Sequence, residues 1–249
     1  MILQLQHINF GFTPEKQILK DLSLPLEEKK IYALMGSNGA GKTTLFNIIS
    51  GFLKLQSGSI WYSGINITNK SPYRINRLGI GRTFQDLRII TKLSVEENIV
   101  LAMQNNPDDN WFYAMLPGSF QVKSNQRLNK SADEIAEKYF LSEVKSSLAG
   151  EISYGQQKLL TLACCIANGA EMLLIDEAVA GIQPDYRDKI ALLIKQLKEQ
   201  GKTILLIEHN TDFIADVADK IFFLHDGEIS SFENMEALRK DKQVMESYI

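Results

Sequence analysis

The chain contains little cysteine, and the cysteine that it has is poorly placed for cross-links or metal sites. Its 249 residues include 2 cysteines, the neighbours Cys164 and Cys165. Adjacent residues in a helix face different directions, so the two are poor disulfide partners. Neither has metal-ligand spacing relative to a second pair. We therefore expect two small core residues in a reducing compartment.

Long apolar runs and a strong net charge are also missing. No run approaches the roughly 20 apolar residues that cross a bilayer. Residues 1–4 lack the charged and apolar regions of a signal peptide, so we expect the chain to stay where it is made. A net charge of −3 argues against a protein that coats nucleic acid. A content of 45% hydrophobic and 23% charged residues indicates an ordinary soluble globular protein.

The most informative segment that is present is a glycine-rich loop. It lies between an apolar run typical of a buried strand, Ile31–Met35, and an apolar-periodic run typical of a helix, residues 45–49. The phosphate-binding pattern G-x-x-x-x-G-K-[ST] is matched at every fixed position. The residues of the loop are Gly36, Ser37, Asn38, Gly39, Ala40, Gly41, Lys42, Thr43 and Thr44.

This loop predicts that the chain binds a polyphosphate. Glycines allow several backbone N–H groups to point into one concavity, and the following helix adds the positive end of its dipole. Lys42 supplies a mobile positive charge for the outer phosphates, and Thr43 supplies a hydroxyl for Mg²⁺. The alternative is a glycine-rich turn that binds nothing, which the strand–loop–helix context disfavours.

The start and the end of the chain predict two kinds of sheet. Residues 3–12, 17–26 and 59–62 are expected to form an antiparallel layer. Residues 172–175 and Thr203–Ile207 are continuous apolar runs, as expected of parallel strands buried on both faces. Residues 226–228 are expected to form a hairpin turn between two more strands.

The middle of the chain, residues 79–150, is predicted to be mostly helical and to contain no continuous apolar strand. Its clearest periodic segments are residues 93–103 and 132–140. Residues 105–129 are polar and contain Pro and Gly, so they are predicted to be a surface excursion.

Two adjacent carboxylates end the apolar run at residues 172–175. Ligands of open α/β sheets sit beyond the carboxyl ends of the strands. Asp176 is placed there to hold Mg²⁺ through its water shell. Glu177 is placed to accept a proton from, or to orient, the water that attacks a γ-phosphate. The alternative, a pair of solvated turn residues, is weakened by the phosphate loop upstream.

Three further motifs resemble those of the ATP-binding cassette (ABC) ATPases. The first consists of Ser153, Tyr154, Gly155 and Gln156. It resembles the family signature L-S-G-G-Q, and Ser153 is expected to cap a helix whose start forms a second anion site. His209 matches the switch histidine of the family, and Gln85 matches the glutamine of its Q-loop. Each match alone is weak, but together they keep the order and spacing of the family.

The resemblance covers essentially the whole chain and is greatest to cassettes of branched-chain amino acid importers. It is carried by Tyr154 and by residues 51–53, 79–85, 93–98, 207–210 and 242–249. Cassettes of the lipopolysaccharide exporter share the style of the C-terminal segment but are less similar around residues 82–85. Urea-type importers are less similar in the signature segment.

The family resemblance implies an α/β fold and a set of site residues. The fold is a single domain, 1–249, with a P-loop NTPase core of RecA type, an antiparallel β subdomain and an inserted helical subdomain at about residues 86–160. The implied ligands are ATP and Mg²⁺. The implied catalytic groups are Lys42, Gln85, Glu177 and His209, and those at the metal are Thr43, Gln85 and Asp176. Adenine would stack on Phe12 or alternatively Phe10, although either could be a core residue.

The resemblance also implies partners. Two cassettes would pack head to tail, with ATP between residues 36–44 of one and Ser153, Gly155 and Gln156 of the other. The second cassette would be another copy of this chain or a related ABC ATPase. Integral membrane permease subunits would hold the pair at the cytoplasmic face of the membrane, and no nucleic acid is expected.

Some departures from the family pattern leave the chemistry intact. Ala178 stands where the family usually has proline, and Gln183 lies in an altered segment before Pro184. Two other function classes stay open. Soluble ABC proteins that act on DNA or ribosomes usually carry two cassettes or long coiled-coil insertions, which this chain lacks. A P-loop kinase would not need residues 153–156 or His209.

Apolar side chains at residues 87–93 have two interpretations. They pack inside the helical subdomain, as most apolar residues do, or some of them line a groove for a short helix of the permease. In the second case Gln85, at the start of the stretch, would couple the groove to the ATP site.

Overall fold

The computed structural model describes residues 1–13, 16–84, 87–103, 118–242 and 244, and only the backbone of residues 118–126. Within this part the strands are β1 (Leu3–Thr13), β2 (Lys16–Leu26), β3 (Ile31–Met35), β4 (Ser57–Tyr62), β5 (Ile65–Asn66), β6 (Ile80–Arg82), β7 (Met172–Asp176), β8 (Thr203–Ile207), β9 (Lys220–His225) and β10 (Glu228–Phe232). The helices are α1 (Lys42–Ile49), α2 (Pro72–Arg77), α3 (Val95–Ala102), α4 (Gly118–Lys138), α5 (Tyr154–Ala167), α6 (Pro184–Glu199), α7 (Thr211–Val217) and α8 (Met235–Lys240).

The first sheet has four antiparallel strands in the order β2-β1-β4-β5. Strands β1 and β2 pair along their whole length, from Leu3 opposite Leu26 to Thr13 opposite Lys16. β4 pairs with the other edge of β1. The predicted antiparallel layer at the start of the chain is therefore confirmed.

The second sheet has six strands in the order β10-β9-β3-β8-β7-β6. β3, β8 and β7 lie parallel and side by side, and every residue of these three strands is buried. Parallel strands covered on both faces need such continuous apolar sequences. β9 and β10 form the predicted hairpin, in which Asp226 and Gly227 both have positive φ, as a type I′ turn requires.

Two apolar cores lie on opposite faces of the six-stranded sheet. Alternate residues of β3 point into different cores. Ile31, Ala33 and Met35 belong to the core shared with α3 to α7. Tyr32 and Leu34 belong to the core shared with α1 and the antiparallel sheet. Cys164 and Cys165 are free and pack against the first core, and burial raises the pKa of each thiol to about 12.

The structure corrects one prediction for the middle of the chain and adds to this part a short strand that is not a continuous apolar run. β6 is a strand within residues 79–150 and pairs in parallel with β7. Its three residues are too few to show a period of two, and two of the three are Gly and Arg. α4 extends through residues 118–129, which were predicted to be a surface excursion. The polar sequence there belongs to a helix that packs against α3 and α5, and residues 105–117 of the predicted excursion lie outside the described residues.

Candidate nucleotide-binding site

The glycine-rich loop joins β3 to α1, and two of its glycines are required by close packing. Gly36 has φ 147°, and a Cβ there would lie 2.3 Å from the carbonyl oxygen of Leu224. Gly41 has φ 105°, and a Cβ there would lie 2.7 Å from the Cγ2 atom of Ile18. A side chain at either position would therefore clash with the neighbouring strands and would also strain the backbone.

The N-terminus of α1 has the features of an anion site. Its N-cap residue, Gly41, makes no side-chain hydrogen bond to the helix, and the first turn contains no acidic residue. Helix N-termini carry N–H groups without intrahelical partners and the positive end of the dipole. Thr43 is exposed in this first turn, and Asn38 and Gly39 are exposed in the loop before it. The loop can therefore receive phosphate oxygens on backbone donors and on the Thr43 hydroxyl.

Lys42 is buried within the loop. Its Nζ donates hydrogen bonds to the carbonyl oxygens of Gly36, at 2.7 Å, and Ser37, at 2.9 Å. Burial lowers the pKa of the Lys42 ammonium, while the carboxylates of Glu177 and Asp176 oppose this effect. The structure thus brings the lysine under the influence of both carboxylates that the sequence analysis singled out.

Asp176 ends β7 and is buried at the level of the loop. Its backbone N–H donates to the Thr83 Oγ1, 3.0 Å away, and its Oδ2 lies 3.7 Å from an Nη2 of Arg82. Burial raises the pKa of Asp176, while the nearby Arg82 charge works in the opposite direction. The arginine is itself fixed by hydrogen bonds to Asn47 Oδ1 and Ser50 Oγ of the α1 segment.

Glu177 has a left-handed backbone, with φ 50°. Its N–H donates to the carbonyl oxygen of Ile207 at 3.0 Å, which ties it to the end of β8. Its Oε1 lies 3.6 Å from the Nε2 of His209, which follows the same strand. Lys42, Asp176, Glu177 and His209 therefore gather beyond the carboxyl ends of β3, β7 and β8, where open α/β sheets bind their ligands.

The segment at residues 153–156 forms the start of α5. Ser153 is its N-cap, as predicted: the Oγ accepts the N–H of Gln156 at 3.3 Å, and the Oε1 of Gln156 accepts the N–H of Ser153 at 2.9 Å. This reciprocal pair is a capping box. Gly155 lies against the ring of Tyr186 in α6, where a Cβ would approach to 2.5 Å. The Oγ of Ser153 donates to the Tyr186 hydroxyl at 3.2 Å.

Comparison with known proteins identifies the family. A sequence model of the family described as ABC transporter matches residues 19–180, well over half of the chain. The chain belongs to the ABC transporter family. As a member of this family it is an ATP-binding and ATP-hydrolysing subunit, and the sequence-based assignment to the ABC ATPases is confirmed.

The relatives of this ABC ATPase include cassettes of amino acid transporters. It is 32% identical over 233 residues to the high-affinity branched-chain amino acid transport ATP-binding protein BraF of Pseudomonas aeruginosa, covering 92% of this chain and 90% of that protein. It is 31% identical over 248 residues to the probable branched-chain amino acid transport ATP-binding protein LivG of Archaeoglobus fulgidus, covering 100% and 95%. The nucleotide-free crystal structure of an ATP-binding cassette superposes with a TM-score of 0.85 at 29% identity, covering 100% and 98%. The predicted ABC fold is therefore confirmed.

Of the remaining predicted site residues of this ABC ATPase, Phe12 lies on the surface and Gln85 is not described. Phe12 is 64% exposed on β1, whereas the alternative, Phe10, is buried in the core and contacts Phe12 edge to face at a centroid distance of 5.1 Å. An exposed ring is available to stack on a base, and a buried ring is not. Gln85 lies outside the described residues.

Two buried charged residues near the site were missed by the sequence analysis. Lys158, on α5, donates from its Nζ to the carbonyl oxygen of Glu177 at 3.0 Å. Glu208, at the end of β8, accepts the N–H of Val179 on its Oε1 at 2.9 Å, and burial raises the pKa of this carboxyl to about 7. Lys158 directly precedes the apolar pair Leu159-Leu160, and Glu208 directly follows Leu206-Ile207. A single charged residue beside an apolar run could have indicated a buried, paired charge.

The described residues contain neither a cluster of metal-ligating side chains nor a membrane-spanning helix. Among the described residues, no group of three or more His, Cys, Asp and Glu side chains could hold a metal ion. Over the same part of the chain, no helix combines the length and the apolar character needed to cross a bilayer.

Proposed function

We propose that this ABC ATPase hydrolyses ATP at a site shared between two cassettes and thereby drives solute import. The observation that carries the proposal is the convergence of Lys42, Asp176, Glu177 and His209 beside the loop at residues 36–44. Loop and helix N–H groups receive the phosphates, Lys42 neutralises the outer phosphate charge, and the exposed ring of Phe12 stacks on adenine.

The metal in this proposal is Mg²⁺, which supplies charge stabilisation for the phosphoryl group when it is bound. The donor set fits a hard cation, because Thr43 and Asp176 offer a hydroxyl and a carboxylate oxygen, with Gln85 as a further ligand. These few protein ligands would leave coordination positions for phosphate oxygens and waters, as Mg²⁺ usually requires.

Proton transfer is assigned to Glu177. Its carboxylate accepts a proton from the attacking water, and His209, 3.6 Å from it, contacts the γ-phosphate and reports its loss. Asp176 would hold the metal ion, and its position is fixed by burial beside Arg82 and by the hydrogen bond from its backbone to Thr83.

The transported solute is proposed from the relatives. BraF and LivG are branched-chain amino acid transport proteins by name, so we assign this chain to the import of branched-chain amino acids or similar small solutes. The chain is a single domain with a helical subdomain at about residues 86–160, and permease subunits hold it at the cytoplasmic face of the membrane. Lipopolysaccharide export is the second candidate function.

The second cassette contributes Ser153, Gly155 and Gln156 to each ATP. The start of α5 supports this role because its capped N-terminus is exposed at Ser153 and Tyr154. Because each copy offers one loop and one signature segment, a head-to-tail pair is self-complementary and closes as a twofold dimer.

Mixing two inactive variants tests the shared site. Lys42→Ala disables the loop, and Ser153→Arg places bulk and charge where the other copy's phosphates would lie. Each variant alone is expected to be inactive, but the mixture forms dimers with both defects in one site and none in the other. ATPase activity should therefore return on mixing. The matched control is Ser231→Arg, on the exposed edge strand β10, which should remain active alone. Two inactive variants that stay inactive when mixed would contradict the shared site.

The permease is proposed to bind a cleft that is lined by Phe84 and Arg88. The cleft has a volume of about 320 Å³. Its lining includes Asn76, Phe84, Arg88, Ile89, Thr161 and Asn168. Within the stretch at residues 87–93, Ile89 is half-buried against the core, whereas Ile90 is exposed. Burial supports the core interpretation for Ile89, and exposure leaves its chain neighbour Ile90 available for a contact with the permease.

Ile90→Asp is expected to abolish assembly with the permease and to leave the subunit folded. An exposed side chain costs little to replace in the isolated subunit, whereas a charge buried without a partner at an interface costs several kcal/mol, on the order of the loss of binding. The measurement is co-purification of the permease from native membranes, alongside thermal melting and ATP binding of the isolated subunit. Leu192→Asp, at an equally exposed position on α6, is the control and should assemble normally. Normal assembly of Ile90→Asp would exclude this residue from the interface.

A further inference from the structure

The backbone of Glu177 lies in the left-handed region, with φ 50°, which is unfavourable for a residue with a side chain. Such conformations persist when surrounding contacts fix them, and they concentrate at functional sites. The contacts around residues 177–179 therefore show what holds the glutamate in place.

One side of this segment is held by a buried ammonium group. Lys158 is 6% exposed, and its Nζ donates to the carbonyl oxygen of Glu177 at 3.0 Å. A buried charge without a partner would be costly, so this contact serves the lysine as well as the backbone. Because Lys158 belongs to α5, the contact also joins Glu177 to the helix that begins at Ser153.

The other side is held by a buried carboxylate. Glu208 is 3% exposed, and its Oε1 accepts the N–H of Val179 at 2.9 Å. Glu208 is also the direct chain neighbour of His209. Glu208 therefore links the segment after Glu177 to the residue that faces Glu177 across the site.

We propose that Lys158 and Glu208 are positioning residues that clamp the backbone at residues 177–179, so that the Glu177 carboxylate stays beside His209. The proposal rests on the assignment of Glu177 as the proton acceptor. The proposal also connects two parts of the site within one copy. A shift of α5, the helix that Ser153 caps, would move Lys158 and with it the carbonyl group of Glu177. Three other charged or titratable groups lie around Lys158 and Glu208. They are Asp176 and Glu177 at the end of β7 and His209 after β8.

Two variants of similar size at position 208 separate positioning from packing. Glu208→Gln keeps an oxygen that can accept the Val179 N–H, whereas Glu208→Met fills the same volume and has no acceptor. We expect Glu208→Met to lower kcat about 10-fold to 100-fold, because small displacements of a catalytic group cost rates of that order. The KM for ATP should stay within about twofold, since the loop is untouched. Glu208→Gln should retain most of the wild-type kcat.

Lys158 offers the same test from the other side. Lys158→Met removes the donor to Glu177, and Lys158→Arg keeps one. We expect a loss of kcat in Lys158→Met at unchanged KM, rescue in Lys158→Arg, and an ATP-bound dimer that accumulates in Lys158→Met as it does when Glu177 itself is replaced. The double variant Lys158→Met with Glu208→Met should lose less than the product of the single losses, because both act on one segment.

The outcomes separate this proposal from the proposed function. If Glu177→Gln hydrolyses ATP normally, the assignment of Glu177 fails first. If Glu177→Gln is inactive but both Met variants keep wild-type kcat, the clamp is wrong. Equal losses in Glu208→Met and Glu208→Gln would also overturn it, because the shared acceptor would then not matter. Thermal melting is measured throughout, and loss of folding in both Met variants would overturn the proposal in favour of a purely structural role.

Discussion

Glu177→Gln is expected to hydrolyse ATP about 10²-fold to 10⁴-fold more slowly than the wild type, which is the usual contribution of a general base. The substitution keeps the size of the side chain and removes its ability to take a proton. Its backbone contacts to Ile207 and Lys158 are unaffected, so the fold and the phosphate loop should persist. The steady-state rate of phosphate release measures the effect.

The same variant should bind ATP and accumulate as an ATP-bound dimer, because hydrolysis is the step that releases the two copies. Size-exclusion chromatography with and without Mg·ATP detects the shift. Glu171→Gln is the control: this exposed glutamate precedes β7, and its ion pair with Lys202 lies at the other end of the strand. It should stay active and show no trapped dimer. Hydrolysis by Glu177→Gln at the wild-type rate would show that its assigned role is wrong.

Lys42→Ala is expected to lose nearly all ATPase activity, by about 10²-fold to 10³-fold or more. Removing one donor aimed at developing charge has an effect of that size, and Lys42 supplies a full charge beside the transferred phosphoryl group. ATP binding should weaken as well, since the same charge faces the outer phosphates in the ground state. Isothermal titration and phosphate release measure the two losses separately.

Thermal melting must accompany the Lys42 measurement. The ammonium group donates to Gly36 and Ser37, so the alanine variant loses two hydrogen bonds inside the loop. Lys54→Ala, which removes an exposed lysine beyond α1, controls for the change in net charge. A folded Lys42→Ala protein with near-normal turnover would contradict the assignment of the loop as the phosphate site.

The sequence predicted the elements whose pattern is local and strong. β3, β7 and β8 are continuous apolar runs, and the hairpin turn at Asp226 and Gly227 has the residue types that left-handed positions favour. The cap at Ser153 also follows from neighbouring residues, because a serine followed three residues later by glutamine can form a capping box.

The elements that the sequence did not predict depend on distant partners. β6 is an edge strand of three residues that exists because β7 lies beside it. Regular alternation would place Phe10 and Phe12 on one face of β1, but the structure buries Phe10 and exposes Phe12, and the pairing of β1 with β2 is irregular between Phe10 and Thr13.

The contacts around Glu177 also depend on residues that are distant in sequence, so local patterns could not predict them. Lys158 and Glu208 reach residues 177–179 from α5 and β8, so the pairing exists only after the sheet and the helix have packed. A lone charge next to an apolar run could have indicated that each is buried, but no local pattern shows that both contact residues 177–179.

The central claim, that ATP is hydrolysed between two cassettes, is tested most directly by the specific ATPase activity of the purified chain as a function of its concentration, with the molecular mass measured under the same conditions. We expect a largely monomeric protein without nucleotide and a specific activity that rises steeply with concentration, because dimer formation completes each site. A specific activity that is independent of concentration, reached by a protein that remains a monomer with Mg·ATP, would contradict the account.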